Sequence, residues 1–198
     1  MKNDVEIEID NHWPTPIWRA RVEELNNENL IRFILDEQIT TPKSIQRSNN
    51  GGWHSRQNLY EDTVMSELCG TIRNMCNELL PVIKGIRFRQ MWAMINKKND
   101  WNAIHQHGKY EISGGYYLRV PEDSGRIVFQ NPCPLRENYI INQFVGGGNS
   151  KGYKPKEHEL MMWPAYLNHY VEPSRSDVDR IMISFDLDIN VQGEKYGK

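Results

Sequence analysis

The chain has 198 residues, 38% of them hydrophobic and 25% charged, with a formal net charge of −2. That is apolar material for one full-sized core and hardly for two, so a single domain over residues 1–198 is expected. Lysines and arginines are dispersed, giving no indication of a nucleic-acid partner, and no run approaches the ~20 apolar residues of a membrane span.

The N-terminal stretch MKNDVEIEIDNHWPTPIW is too acidic and interrupted for a signal peptide, so a soluble, cytoplasmic protein is expected. Within it, VEIEI at 5–9 alternates like a strand. Over 22–37, Leu25, Leu30, Phe33 and Ile34 recur at near-helical spacing. A second helix is expected over 62–81. Asp62 is its candidate N-cap, Met65, Leu68, Ile72, Met75 and Leu79 its apolar stripe, and Pro81 its stop. Such a stripe is most simply a helix face packed on a sheet. Cys69, Cys76 and Cys133 have no metal-type spacing, and their odd number argues for free thiols.

After Lys84 the texture changes to strand-like runs: IRFRQMWAMI, SGGYYLRV, GRIVFQN, HELMMWP and RIMISFDLDI. Helices first and strands after predict an α+β domain, with helical support over about 20–84 and an antiparallel β core over about 85–190 that closes on itself. The segment from Pro132 to His158, with GGGNSKGYKP, is long and glycine-rich, as functional lids are. In the last run Ile181, Ile183, Phe185, Leu187 and Ile189 share one face. Arg180, Met182, Ser184 and Asp186 share the other, which can look into a barrel.

The residues with most chemical content are His105 and His107 in WNAIHQHGKYEISGGYYL, His169 in MMWPAYLNHYVEP, and Arg180. In an extended segment residues i and i+2 point the same way, about 6.5–7 Å apart, so two imidazoles can converge on one ion. A third from a distant strand would complete one face of an octahedron, leaving the open positions that non-haem Fe(II) uses for a chelating cosubstrate and dioxygen. Three arrangements are open. All three histidines bind, the favoured reading; or His105 and His169 bind with a carboxylate from elsewhere, Glu111 being the nearest by parity; or His107 sits behind a ligand. An arginine on an interior face needs an anionic partner, either a cosubstrate carboxylate or a structural ion pair with an acid such as Asp123. His12, His54 and His158 are more simply packing or solvated histidines. Trp92, Trp101 and Trp163 are more simply core or strand-face residues.

WPTPIW, GGWHS, NAIHQHGKYEISGGYYLRVPEDSGRIVFQNP and YKPKEHELMMWPAYLNHYVEPSRSDVDRIMISFD together resemble the 2-oxoglutarate/Fe(II) oxygenases of bacteria and bacteriophages, relatives of the prolyl hydroxylases. The resemblance runs from about Trp13 to Asp186 and implies a double-stranded β-helix, a distorted jelly roll. It further implies Fe(II), 2-oxoglutarate and O2 as the reacting set, with the cytoplasm being the host's if the source is viral. His105 and His169 fall on the family's metal positions, and His107 where most relatives have Asp or Glu. Arg180 falls on the basic residue that pairs with the far carboxylate of 2-oxoglutarate, and Tyr117 on the tyrosine that hydrogen-bonds it. The family's serine two residues after the arginine reads Met182 here, leaving Ser184 one strand repeat further on as the remaining serine contact. Restoring the usual carboxylate by His107→Asp is expected to preserve or improve iron binding. The implied reaction is hydroxylation of an unidentified substrate, a protein side chain or a small molecule being favoured, and a homodimer is compatible with the sequence. The alternative is a non-catalytic or Zn-binding jelly-roll module, since three histidines also suit Zn.

Overall fold

The computed structural model describes residues 14–80, 83–133 and 148–191. Their elements run β1 (Trp18–Arg21), α1 (Asn27–Thr40), β2 (Asn49–Asn50), β3 (Trp53–His54), α2 (Ser66–Leu79), β4 (Ile83–Asn96), β5 (Trp101–His105) and β6 (Ile112–Arg119). Then follow β7 (Ile127–Gln130), β8 (Ser150–Tyr153), β9 (Glu159–Pro164), β10 (His169–Val171) and β11 (Arg180–Val191). The strands form a six-stranded sheet, ordered β1-β9-β6-β11-β4-β3, and a five-stranded sheet, ordered β2-β5-β10-β7-β8. All pairings between named strands are antiparallel. This is the expected α+β architecture, a double-stranded β-helix. The expected strand at 5–9, His12 and the helix stop Pro81 lie outside the described residues, as does most of the expected lid. Part of that lid segment, Ser150–Tyr153, is a strand paired with β7.

Strand parity divides the apolar residues into two cores. Ile181, Ile183, Phe185 and Leu187 of β11 join Leu30 and Ile34 of α1 and Leu68 and Ile72 of α2 in the helix-covered core. The opposite residues of the same sheet, Trp92, Met94, Tyr117, Met161, Trp163 and Met182, meet Ile127 and Phe129 in a second cluster between the sheets. The glycine pair Gly114-Gly115 serves both. A Cβ on Gly114 would fall 2.2 Å from the Phe185 ring, and one on Gly115 2.7 Å from the end of Met182. The central strands therefore approach closely only because β6 has no side chains there.

The helices differ from expectation in detail. The first α-helical residue of α2 is Ser66, preceded by two short 3₁₀ turns, and Asp62 makes no capping bond. Its carboxylate accepts instead from Arg56 Nη2 at 2.7 Å, an ion pair that outcompetes a terminal amide. The buried stripe is Met65, Leu68, Cys69, Ile72 and Cys76, while Leu79 is exposed. The small, apolar thiol of Cys76 takes the last buried place, against the Met162 sulfur at 3.8 Å.

Candidate functional site

His105 closes β5 and stands directly opposite His169 of β10. Facing residues of an antiparallel pair have neighbouring Cβ atoms, and the two rings lie 4.3 Å apart between centroids. His107 arrives differently. The ladder of β5 ends at His105; two residues on, His107 N–H donates to the Ala165 carbonyl at 2.8 Å, and a turn follows at 108–109. Its ring then sits 5.1 Å from His105 and 5.3 Å from His169. The strand thus ends between the two histidines, and the convergence expected of the i, i+2 pair is kept.

The hydrogen bonds of the rings fix their chemistry. His105 Nδ1 lies 2.7 Å from the Ala103 carbonyl and His169 Nδ1 2.9 Å from that of Leu167. A carbonyl can only accept, so both Nδ1 atoms carry the proton and both Nε2 atoms carry a lone pair. His107 Nδ1 lies 2.7 Å from Asp186 Oδ1. His107 Nε2 is buried without a hydrogen-bond partner among the described residues. One ligand atom from each of the three histidines lies within 4.8 Å of the others. Burial pushes His105 down to about 4, and burial together with His105 pushes His169 down to about 3. These two rings are neutral at physiological pH, as ligation requires.

Three converging imidazole nitrogens, one of them buried without a hydrogen-bond partner among the described residues, fit a divalent transition metal with borderline ligand preference. Carboxylate alternatives are not assembled. Glu111 turns toward β11, its Oε2 accepting from Ile189 N–H at 3.2 Å, and the cluster of potential ligands among the described residues is histidine alone.

The histidines lie in a cavity of about 970 Å³, together with Tyr117, Ser184, Asp186, Trp92 and Trp163. Trp92 stacks on His107 on one side, 5.8 Å between centroids, and on His54 on the other, at 5.4 Å. His54 is therefore a buried packing histidine, as expected, but it also lines the cavity. His158 belongs to the other core; its Nδ1 meets the Val22 carbonyl at 3.2 Å and the Tyr116 hydroxyl at 3.4 Å.

Arg180 is 2% exposed, on the inner face that its parity indicated. The alternative, a structural ion pair with an acid such as Asp123, is not formed with Asp123. No carboxylate among the described residues lies within 4.0 Å of its guanidinium, whose Nη1 donates to the carbonyl of Ser124 at 2.9 Å and whose Nη2 donates to Asn96 Oδ1 at 3.2 Å. Its Nε is buried and has no hydrogen-bond partner among the described residues. Burial lowers its pKa and pushes Tyr117 up to about 12, each group's shift being opposed by the other. Arg180 does not itself line the cavity, whereas Tyr117 and Met182 do.

Sequence reasoning gave no role to Asp186, Ser113 or Ser48. Asp186 accepts from both His107 and the Ser113 hydroxyl, and Ser48 Oγ lies 3.3 Å from His105 Nε2. For Asp186 the signal was available, since it shares the inner face of β11 with Arg180.

The family described as "Putative 2OG-Fe(II) oxygenase" matches residues 90–186. Among curated proteins, none matches significantly. Similar solved structures include the viral collagen prolyl hydroxylase of Paramecium Bursaria Chlorella virus-1, 15% identical, TM-score 0.59, with 86% of this chain and 94% of that one covered. A prolyl-4-hydroxylase from Pseudomonas putida is 10% identical, TM-score 0.59, covering 90% and 94%. HygX from Streptomyces hygroscopicus, solved with nickel and 2-oxoglutarate bound, is 9% identical, TM-score 0.61, covering 88% and 83%. At such identities the likeness concerns the fold.

Proposed function

The chain belongs to the 2OG-Fe(II) oxygenase family, and from that premise we propose that His105, His107 and His169 hold Fe(II) while Arg180 and Tyr117 anchor 2-oxoglutarate, for hydroxylation of a still unidentified substrate. The observation that carries the reading is the convergence of three imidazoles at one wall of the cavity, two with Nδ1 held by backbone carbonyls and the third with an orphaned Nε2. Bound Fe(II) supplies open coordination positions and the electrons that let O2 react with an unactivated C–H bond. One oxygen atom of O2 enters the substrate and the other enters succinate, as 2-oxoglutarate loses carbon dioxide.

The protein's part is orientation and exclusion of water. Arg180 is a buried cation without a carboxylate partner among the described residues, which makes its neighbourhood favourable for one carboxylate of a dianion. The Tyr117 hydroxyl beside it remains protonated throughout the physiological range, hence a donor. Ser184 lines the same cavity and offers a further hydroxyl. The apolar walls, Trp92, Met94, Trp163 and Met182, keep the reacting atoms out of bulk water. A volume of about 970 Å³ leaves room beside the cosubstrate for a protein side chain or part of a small molecule.

The test is succinate formation from 2-oxoglutarate by the purified protein under air, with and without added Fe(II), in parent and His169→Ala. Iron-dependent turnover in the parent and none in the variant is expected, with slow uncoupled turnover sufficing when no substrate is present. Tight Zn binding combined with no succinate under any iron loading would overturn the reading in favour of a binding module.

A further inference from the structure

Asp186 is 1% exposed. Burying a carboxylate is costly unless it is paired, and an apolar residue would fill the same space more stably. No lysine or arginine among the described residues lies within 4.0 Å of it. Its polar partners there are His107 Nδ1 at 2.7 Å and the Ser113 hydroxyl at 2.6 Å, both on Oδ1. Asp186 sits on β11, a central strand flanked by β4 and β6, with Gln90 and Ser113 as its cross-strand partners. Its backbone position is set by the ladder, with a register shift against β4 just after it, and its carboxylate is oriented by the two hydrogen bonds on Oδ1. On the other side, the Trp92 ring lies at 21° to the His107 ring and limits its rotation.

We propose that Asp186 is the positioning residue of His107, holding the ring as the Nδ1–H tautomer so that Nε2 presents its lone pair toward His105 and His169. This rests on the reading that the three histidines bind metal. A carboxylate behind a ligating imidazole fixes its tautomer and raises its basicity. The imidazole of His107 faces the cluster and the carboxylate stands one ring further back. The negative charge that balances the cation is kept within the buried site, transmitted through a hydrogen bond rather than a direct bond. Ser113, donating to the same oxygen, holds that oxygen toward His107.

The experiment follows the metal-free protein first. With ¹⁵N-labelled histidine, long-range ¹H–¹⁵N spectra report which ring nitrogen carries the proton. The parent His107 is expected as Nδ1–H. In Asp186→Ala the population shifts toward Nε2–H, the form a free imidazole prefers. Co(II) is then titrated into parent, Asp186→Ala, Asp186→Asn and His105→Ala. Asp186→Ala is expected to bind Co(II) about 10–100-fold more weakly than the parent, with an altered visible absorption spectrum. Asp186→Asn keeps the shape and an acceptor oxygen but loses the charge, and falls between. If the parent binds, His105→Ala does not, and Asp186→Ala retains the parent's affinity, spectrum and tautomer, Asp186 is only a buried polar filler and the inference is overturned alone. A parent that binds neither Co(II) nor Fe(II) overturns the metal reading and this inference together. Should Asp186→Ala fail to fold, the Asn variant decides: parent-like affinity and spectrum count against the inference, a loss supports it.

Discussion

Removing one imidazole from the cluster leaves a two-point site, so His105→Ala and His169→Ala should each abolish Fe(II) retention in an anaerobic titration while the fold survives. Retention of parent-like affinity by either variant would exclude that residue as a ligand. The environment of position 107 reverses the expectation that His107→Asp helps. A carboxylate there faces buried Asp186, which loses one of its two donors and gains a like charge. Metal binding and thermal stability should both fall in the single variant. The double variant His107→Asp/Asp186→Asn should recover much of the loss, because the like-charge pair is gone. No recovery would show that the site is shaped for imidazole whatever its charge. Arg180 is testable on the cosubstrate side. Arg180→Leu should keep the metal yet bind 2-oxoglutarate about ten- to a hundredfold more weakly, for a charge-assisted contact of ~1.5–3 kcal/mol. Arg180→Lys recovers only part, lacking the planar fork. Unchanged cosubstrate affinity in the Leu variant would leave Arg180 a structural clasp on the Ser124 carbonyl and Asn96.

Strands carry the site, and the closeness of β6 to its neighbours is set by two glycines. Gly114→Ala places a methyl against the Phe185 ring and the Met161 carbonyl, 2.2 and 2.7 Å away, one of them immovable backbone. The variant should lose ~1–3 kcal/mol or more in denaturant unfolding. Gly115→Ala crowds the flexible end of Met182 and meets the Ile183 carbonyl at an ordinary 3.7 Å, so it should lose less. Equal losses would mean that strand conformation rather than packing decides. These contacts also bear on what the sequence makes legible. Parity along β11 was readable because period-two alternation is local, and it placed Arg180, Ser184 and Asp186 on the inner face. The cross-strand facing of His105 and His169 was not, because register between segments far apart in sequence leaves no local trace. The anchoring of His107 left no local trace for a related reason, since its partner, the Ala165 carbonyl, is remote in sequence. Likewise Asp62 read as a helix cap because capping has a recognised sequence pattern, while the pairing with Arg56, six residues upstream across a 3₁₀ turn, has none.

For the molecule as a whole, the site should couple stability to pH and to metal. In the unfolded chain His105 and His169 titrate near the ordinary histidine value of 6.5; in the fold they do so only near about 4 and about 3. As pH falls, the unfolded state therefore takes up protons first, and stability that is complete above ~6.5 drains away as pH falls toward the folded values. His54, lowered by its own burial, adds to the same trend. Bound metal occupies the nitrogens a proton would need, so it stabilises the fold in proportion to its occupancy and is released in acid. The metal-free parent should melt at progressively lower temperature from about pH 7 to about pH 5, a window mostly above carboxylate titration. Adding Co(II) should raise the melting temperature at the upper end of that window and do progressively less toward the lower end. His169→Ala removes the most strongly depressed imidazole, so its metal-free melting curve should depend less on pH, and Co(II) should no longer raise it. A parent whose melting temperature is flat across that window, or a variant with the parent's full pH slope, would show that the buried histidines do not carry this linkage.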